Sequence, residues 1–222
     1  MANEYLFFAQ LVLIIGFSFA ALKAGKEALM TWVAIQAVVA NLFVIKQIPL
    51  FGLQATASDA FAIGSLASLN FLQERFGREA AKKATWICFA SMIFFALISQ
   101  LHLLYLPSPH DKTQSAFEIL LSPSPRLLVA SMGAFFIVQR LSIMGFAVIK
   151  RVMPSLDVAF RTALILACAQ LADTVIFCFA GLYGLVASIS DVIIVSLTVK
   201  WVAIVFFTIF VRLTSWRLSI SN

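Results

Sequence analysis

Polar side chains interrupt the apolar runs of this sequence at positions where a membrane-spanning helix would make them costly. Gln170 and Asp173 lie three residues apart, on one face of a helix, within a long apolar run. At this depth they mark either a functional site or a polar contact between helices. A carboxylate accepts two adjacent N–H groups, whereas an amide both donates and accepts. The pair therefore suits a small planar ligand that carries donors and acceptors.

Two cations also lie deep within the later apolar runs. Lys200 lies nine or ten residues into the last run, where a buried ammonium needs an acidic partner or becomes neutral. We therefore predict an ion pair between Asp173 and Lys200. Arg140, which follows Gln139 in the middle of the fifth run, needs a partner for the same reason. Asp173 and Glu74 are the candidates.

The third apolar run is the weakest and carries several polar residues. Asp59 and Asn70 are eleven residues apart, close to three helical turns, and Glu74 follows Asn70 by four. An unbroken helix would place all three on one face. Asn41 lies too deep in the second run to reach the membrane surface. The candidate substrate-binding residues are Asn41, Asp59, Asn70, Glu74, Gln139, Arg140, Gln170, Asp173 and Lys200.

The elements that must position these side chains are transmembrane helices. Hydrophobic residues form 62% of the 222-residue chain and charged residues 12%, against about half and about a quarter in soluble domains. A span takes roughly 20 residues, and continuous apolar runs indicate helices rather than barrel strands. The runs are Tyr5–Leu22, Leu29–Ile45, Ser58–Leu72, Thr85–Leu106, Leu127–Ile149, Val158–Tyr183 and Asp191–Val211.

These runs predict an all-α fold, a polytopic transmembrane helical bundle with six to seven spans that forms a single integral membrane domain over residues 1–222. The number of spans depends on the third run, Ser58–Leu72. A short span, a broken helix and a re-entrant segment stay open for it. The loop 107–125 is rich in Pro and Ser, and its stretch Ala116–Leu121 predicts a short amphipathic turn at the membrane interface.

The net charge of +6 follows membrane topology rather than a nucleic-acid-binding surface. With seven spans, most basic residues fall on one side of the bilayer: Lys23, Lys26, Arg75, Arg78, Lys82, Lys83, Lys150, Arg151, Arg161, Arg212 and Arg217. The positive-inside rule makes that side cytoplasmic. The sequence therefore predicts a multi-pass protein of the cell inner membrane, with a cytoplasmic C-terminus, a surrounding lipid bilayer and no nucleic-acid partner.

No catalytic or cofactor motif accompanies these residues. The sequence lacks GxSxG, HExxH and Walker A patterns. Cys88, Cys168 and Cys178 lie singly within apolar runs and form no CxxC pair. We therefore expect no catalytic residue, no cofactor and no metal site. A membrane enzyme or assembly factor with a polar core is the alternative from another functional class.

Three stretches of the chain resemble the queuosine precursor transporters, a branch of the vitamin uptake transporter proteins. They are NLFVIK at Asn41–Lys46, LNFLQERFGREAAKKA at Leu69–Ala84 and QLADTVIFCFAGLYG at Gln170–Gly184. The resemblance extends from about Asn41 to Phe207. It implies a membrane transport domain that imports a small-molecule 7-deazaguanine, such as queuine, preQ0 or preQ1, for tRNA modification.

The resemblance also implies which residues surround the ligand: Asn41, Asn70, Glu74, Gln139, Gln170 and Asp173. Glu74 or Asp173 would accept the N–H pair of its guanine-like edge. Many members carry Asp where this chain has Asn70 and Ser142, and Asp59 is an additional acid. The preferred 7-deazaguanine, the coupling ion and the choice between monomer and homodimer therefore stay open. The alternative within transport is a substrate-binding membrane subunit of an energy-coupling-factor-type vitamin importer.

Overall fold

The computed structural model describes the chain over residues 2–152 and 158–202. Within those ranges, the side chains at 66, 70, 74, 139, 140, 142–147, 149, 150, 158–163, 165 and 166 lie outside the description. The elements are α1 (Ala2–Ala24), α2 (Lys26–Phe43), β1 (Gln47–Leu50), β2 (Leu53–Thr56), α3 (Asp59–Phe76), α4 (Arg78–Leu103), α5 (Gln114–Leu121), α6 (Ser124–Val152), α7 (Val158–Phe177) and α8 (189–202). A π-helical turn, Cys178–Leu182, extends α7.

The seven apolar runs correspond to the seven long helices of the described chain, α1 to α4 and α6 to α8. Three described stretches are long and apolar enough to cross a membrane by length and composition: Ala2–Ala24, Arg78–Leu103 and Gln114–Val138. Helices satisfy every backbone polar group internally, as the hydrocarbon interior requires. Large apolar side chains such as Val12, Phe94 and Leu97 are about two-thirds exposed, which suits contact with lipid. The chain is thus a multi-pass membrane protein with an all-α bundle.

The third run forms one continuous helix, α3, so the broken-helix alternative is wrong. It ends at Phe76 and is capped by Gly77, where φ is +84° and the Gly77 N–H donates to the Gln73 carbonyl. The next helix begins at Arg78, seven residues before the predicted Thr85. The basic run after Gly77 is therefore helical, because its residues are strong helix formers. The predicted short turn at Ala116–Leu121 is the helix α5.

A β-hairpin connects α2 to α3 and was not predicted. Its antiparallel strands β1 and β2 pair Gln47 with Thr56 and Leu50 with Leu53. The two turn residues, Phe51 and Gly52, have φ values of +51° and +82°. Positive φ at both central residues is the requirement of a type I′ turn, whose twist matches that of the strands.

Hydrogen bonds show which helix ends lie together. Asn3 of α1 donates to the Pro49 carbonyl of the hairpin at 3.0 Å. The Gln54 N–H donates to Asp191 at the start of α8 at 3.2 Å. Arg126, near the start of α6, donates to the carbonyl of Ala180, at the end of α7, at 2.9 Å. We call this end of the bundle the hairpin end.

The opposite end of the bundle carries most of the positive charge. Because α2 ends at the hairpin and α3 begins there, the connection at Gly25 and the helix break at Gly77 lie at the far end. The basic residues near these connections are Lys23, Lys26, Arg75, Arg78, Lys82 and Lys83. We call this end of the bundle the basic end. Successive long helices run in alternating directions between the hairpin end and the basic end.

Candidate functional site

A cavity of about 580 Å³ lies among six of the long helices, α2, α3, α4, α6, α7 and α8. Its apolar wall includes four phenylalanine rings, Phe61, Phe89, Phe135 and Phe177. The polar side chains in the wall are Gln36, Asn41, Ser58, Ser65, Ser131, Gln170, Asp173 and Lys200. This volume and this mixture of aromatic and sparse polar groups are typical of small-molecule sites.

An ion pair spans α7 and α8 at this cavity. Lys200 Nζ donates to Asp173 Oδ2 at 3.1 Å and to Thr174 Oγ1 at 3.0 Å. The predicted pairing of Asp173 with Lys200 is therefore confirmed. Gln170 lies one helical turn before Asp173 and lines the same cavity. Lys200 contacts one carboxylate oxygen of Asp173, Oδ2.

Two amides of α2 face the other side of the cavity. Asn41, predicted from the sequence, is 8% exposed, and its Oδ1 has no hydrogen-bond partner among the described residues. Gln36 is 1% exposed, and its Oε1 likewise lacks a partner in that part of the chain. Sequence reasoning missed Gln36, although an amide within an apolar run was the available signal.

A chain of hydrogen bonds holds the Gln36 amide in place. Gln36 Nε2 donates to Ser68 Oγ at 3.1 Å, and Ser68 Oγ donates to Ser18 Oγ at 3.0 Å. Trp32 Nε1 also donates to Ser18 Oγ, at 2.9 Å, and Ser18 Oγ donates to the Ile14 carbonyl at 2.8 Å. This chain joins α1, α2 and α3 behind the cavity wall.

Asp59 is not among the described residues that line the cavity. It is 5% exposed, and its Oδ1 accepts a hydrogen bond of 2.5 Å from Ser196 of α8. Its Oδ2 has no hydrogen-bond partner among the described residues. The neighbouring Ser58 does line the cavity. The hydrogen bond between Asp59 and Ser196 therefore joins α3 to α8 near the hairpin.

The remaining candidates lie on described backbone, but their side chains are outside the description. Asn70 and Glu74 lie about 16 and 22 Å along α3 from Asp59, so the three positions cannot contact one compact ligand together. Gln139 and Arg140 follow Val138, which lines the cavity from α6. Whether Arg140 pairs with Asp173 or Glu74 stays a prediction.

Metal-ligating side chains do not cluster in the described part of the chain. Nowhere in residues 2–152 or 158–202 do three His, Cys, Asp or Glu residues come together in a way that could hold an ion. The described polar and aromatic side chains of the cavity offer a ligand hydrogen bonds, charge and aromatic contact.

Comparison with known proteins gives the family. Residues 56–214 match the family model described as "Putative vitamin uptake transporter". A protein of Bacillus subtilis (strain 168) named "Probable queuosine precursor transporter" is 33% identical over 163 residues, which cover 72% of this chain and 71% of that protein. No solved structure matches. The matched region contains α3 to α8, five of the six helices that line the cavity, and the chain belongs to the vitamin uptake transporter family.

Proposed function

We propose that this chain forms a single membrane transport domain that imports a 7-deazaguanine precursor of queuosine, such as queuine, preQ0 or preQ1. The observation that carries the proposal is the cavity that brings together Asn41, Gln170 and Asp173 from α2 and α7. The named function of the Bacillus subtilis relative supports the same substrate class. In this proposal the ligand crosses the membrane chemically unchanged.

The chemistry of the cavity matches a guanine-like ring. A carboxylate oxygen of Asp173 would accept an N–H of the ligand, and Gln170 would donate to its carbonyl while accepting a neighbouring N–H. Asn41 offers a further acceptor, because its Oδ1 has no partner among the described residues. Phe135 and Phe177 provide apolar surface for the faces of the ring.

We also propose an orientation in the cell inner membrane. The basic end would lie in the cytoplasm, since positively charged loops are retained there. The hairpin end would face outward, and the C-terminus would be cytoplasmic. In this proposal one protomer would bind one ligand, alone or within a homodimer.

A transport assay tests this proposal. A bacterial strain that can neither synthesise nor import queuosine precursors should regain modified tRNA when it expresses this chain and receives queuine, preQ0 or preQ1. Asp173→Asn should reduce uptake about tenfold or more, because a hydrogen bond to a charged acceptor is lost. Glu118→Gln is the matched control, since Glu118 is an exposed acid on α5 outside the cavity. Absence of rescue with all three compounds would refute the proposal.

An uptake assay with the purified protein in liposomes distinguishes a complete carrier from the substrate-binding subunit of an energy-coupling-factor-type importer. Uptake of the rescuing compound by this chain alone supports the carrier. Binding without uptake would support the subunit instead, because such a subunit requires a separate ATPase. Mass spectrometry should recover the compound unchanged, whereas a modified product would support a membrane enzyme.

A further inference from the structure

An apolar groove lies between α6 and the end of α7, and it shares no described lining residue with the substrate cavity. Its volume is about 460 Å³, and its wall includes Val129, Ile137, Ile176 and Ala180. Val129 is 71% exposed and Ile137 is 49% exposed. The α6 side of the groove belongs to the stretch Gln114–Val138, which is long and apolar enough to cross a membrane. In a bilayer this exposed face therefore meets lipid.

The cation Arg126 lines the same groove at the hairpin end of the bundle, and its side chain is exposed. Its Nε donates to the Ala180 carbonyl at 2.9 Å, and its Nη2 donates to the Tyr183 carbonyl at 2.7 Å. Carbonyls at a helix end lack partners within the helix, so these bonds fix the guanidinium beside the groove. No carboxylate pairs with Arg126 among the residues that the structure describes. Further N–H donors and a full positive charge thus face the groove's surroundings.

The length and the charge of the groove match one class of ligand. Arg126 and Ile137 are eleven positions apart on α6, which is about 16 Å along a helix. This distance is about half of the roughly 30 Å hydrocarbon core, the depth of one leaflet. A phospholipid joins an acyl chain of that length to an anionic phosphate, with which a guanidinium forms charge-assisted hydrogen bonds. We propose that the groove binds a phospholipid of the leaflet at the hairpin end, with its phosphate at Arg126.

A second copy of this chain is a poorer occupant of the groove. A two-fold axis along the membrane normal would bring the same surface of both subunits together at the same depth. Arg126 would then approach the same arginine of the other subunit, and the groove has no acidic side chain among its described residues to separate the two charges. Like charges repel more strongly where water is scarce. A lipid phosphate instead neutralises the guanidinium.

Gly133 allows the groove to be filled without disturbing the packing below it. It lines the groove, and a Cβ there meets nothing within 4 Å. The next residue, Ala134, is 0% exposed, so the helix is closely packed on its inner side. Gly133→Leu should therefore place its side chain where the acyl chain would lie. Gly16→Leu is the matched control, because Gly16 is exposed on the apolar helix α1 and has the same open space around a Cβ.

The experiment measures lipid binding to the delipidated full chain by native mass spectrometry in detergent. The probes are dioleoylphosphatidylglycerol and dioleoylglycerol, which has the same acyl chains but no phosphate. The wild-type protein should bind the phospholipid about tenfold more tightly or better, the effect of a hydrogen bond to a charged group. Arg126→Gln should remove this preference and Arg126→Lys should keep part of it. Arg78→Gln, an exposed cation at the basic end, should keep all of it.

Gly133→Leu should weaken binding of both lipids severalfold, whereas Gly16→Leu should weaken neither. Thermal denaturation in detergent shows which variants fold, and Gly133→Leu tests the site by itself if Arg126→Gln does not. Equal affinity of the wild-type protein for the two lipids would overturn the proposal, as would a preference that survives Arg126→Gln or binding that Gly133→Leu leaves unchanged. Displacement of the lipid by glycerol 3-phosphate would identify a free anion as the ligand. A dimer that Gly133→Leu dissociates would identify a second copy as the occupant, and either result would also overturn the proposal.

Discussion

Lys200 and Asp173 form an ion pair between α8 and α7, with Nζ and Oδ2 3.1 Å apart. The lysine side chain is 16% exposed and the aspartate 33% exposed, so the pair lies at the cavity surface rather than in the protein interior. Thr174 accepts a second hydrogen bond from the same ammonium. Lys200 thus holds the position of the carboxylate that the ligand would meet.

Removal of one charge of this pair should therefore lower the free energy of unfolding more than removal of both charges. Lys200→Met leaves Asp173 without its cation and should reduce the free energy of unfolding by about 1–3 kcal/mol, less than for a fully buried pair. The double variant Lys200→Met with Asp173→Asn should recover much of that loss. Thermal denaturation of the detergent-solubilised protein measures both. Equal losses in the single and double variants would show that the two charges are not coupled.

Close packing at Gly64 gives a second prediction. Gly64→Ala places a Cβ against Ile14 and Gln36, so it should lower stability by about 1–3 kcal/mol through overpacking. Gly16→Ala is the matched control, because a Cβ there meets nothing within 4 Å. The control should be neutral or slightly stabilising, since alanine is the better helix former. Similar denaturation temperatures for the two variants would contradict the close approach of α3.

A third prediction concerns the hydrogen bonds that hold the hairpin. Asp191 accepts from the Gln54 N–H, and Gln47 accepts from the Ala187 N–H at 2.7 Å. The double variant Asp191→Ala with Gln47→Ala should speed amide hydrogen exchange in the hairpin, because its bonds to the start of α8 and to the α7–α8 connection are lost. Exchange measured by mass spectrometry tests this. Thr198→Ala, on the exposed face of α8, should leave hairpin exchange unchanged.

The proposed orientation gives a fourth prediction. In a background in which Cys88, Cys168 and Cys178 are replaced by alanine, Ser108→Cys at the hairpin end should react with a membrane-impermeant maleimide added to intact cells. Lys82→Cys at the basic end should react only after the membrane is opened. Both positions are exposed, so accessibility of the side chain does not limit the reaction. The reverse labelling pattern would show that the protein has the opposite orientation in the membrane.

The sequence alone determined the class of fold and much of the site. Apolar runs of spanning length require helices because lipid offers no hydrogen-bond partners to the backbone. The cost of charge in that environment singled out Asp173 and Lys200 as a pair. The hairpin escaped prediction because a tight turn with Phe51 in the left-handed region carries only a weak local signal.

Only the tertiary structure decided which polar residues meet. Asn41 and Gln170 are 129 positions apart in the chain, yet both line one cavity, because helices of alternating direction bring distant segments to the same depth. Asp59 shares the helical face of Asn70 by spacing, but its depth in the bundle places it under the hairpin with Ser196. Gln36 of α2 meets Ser68 of α3 only in the folded bundle, since the partners of an amide depend on neighbours that sequence spacing cannot supply.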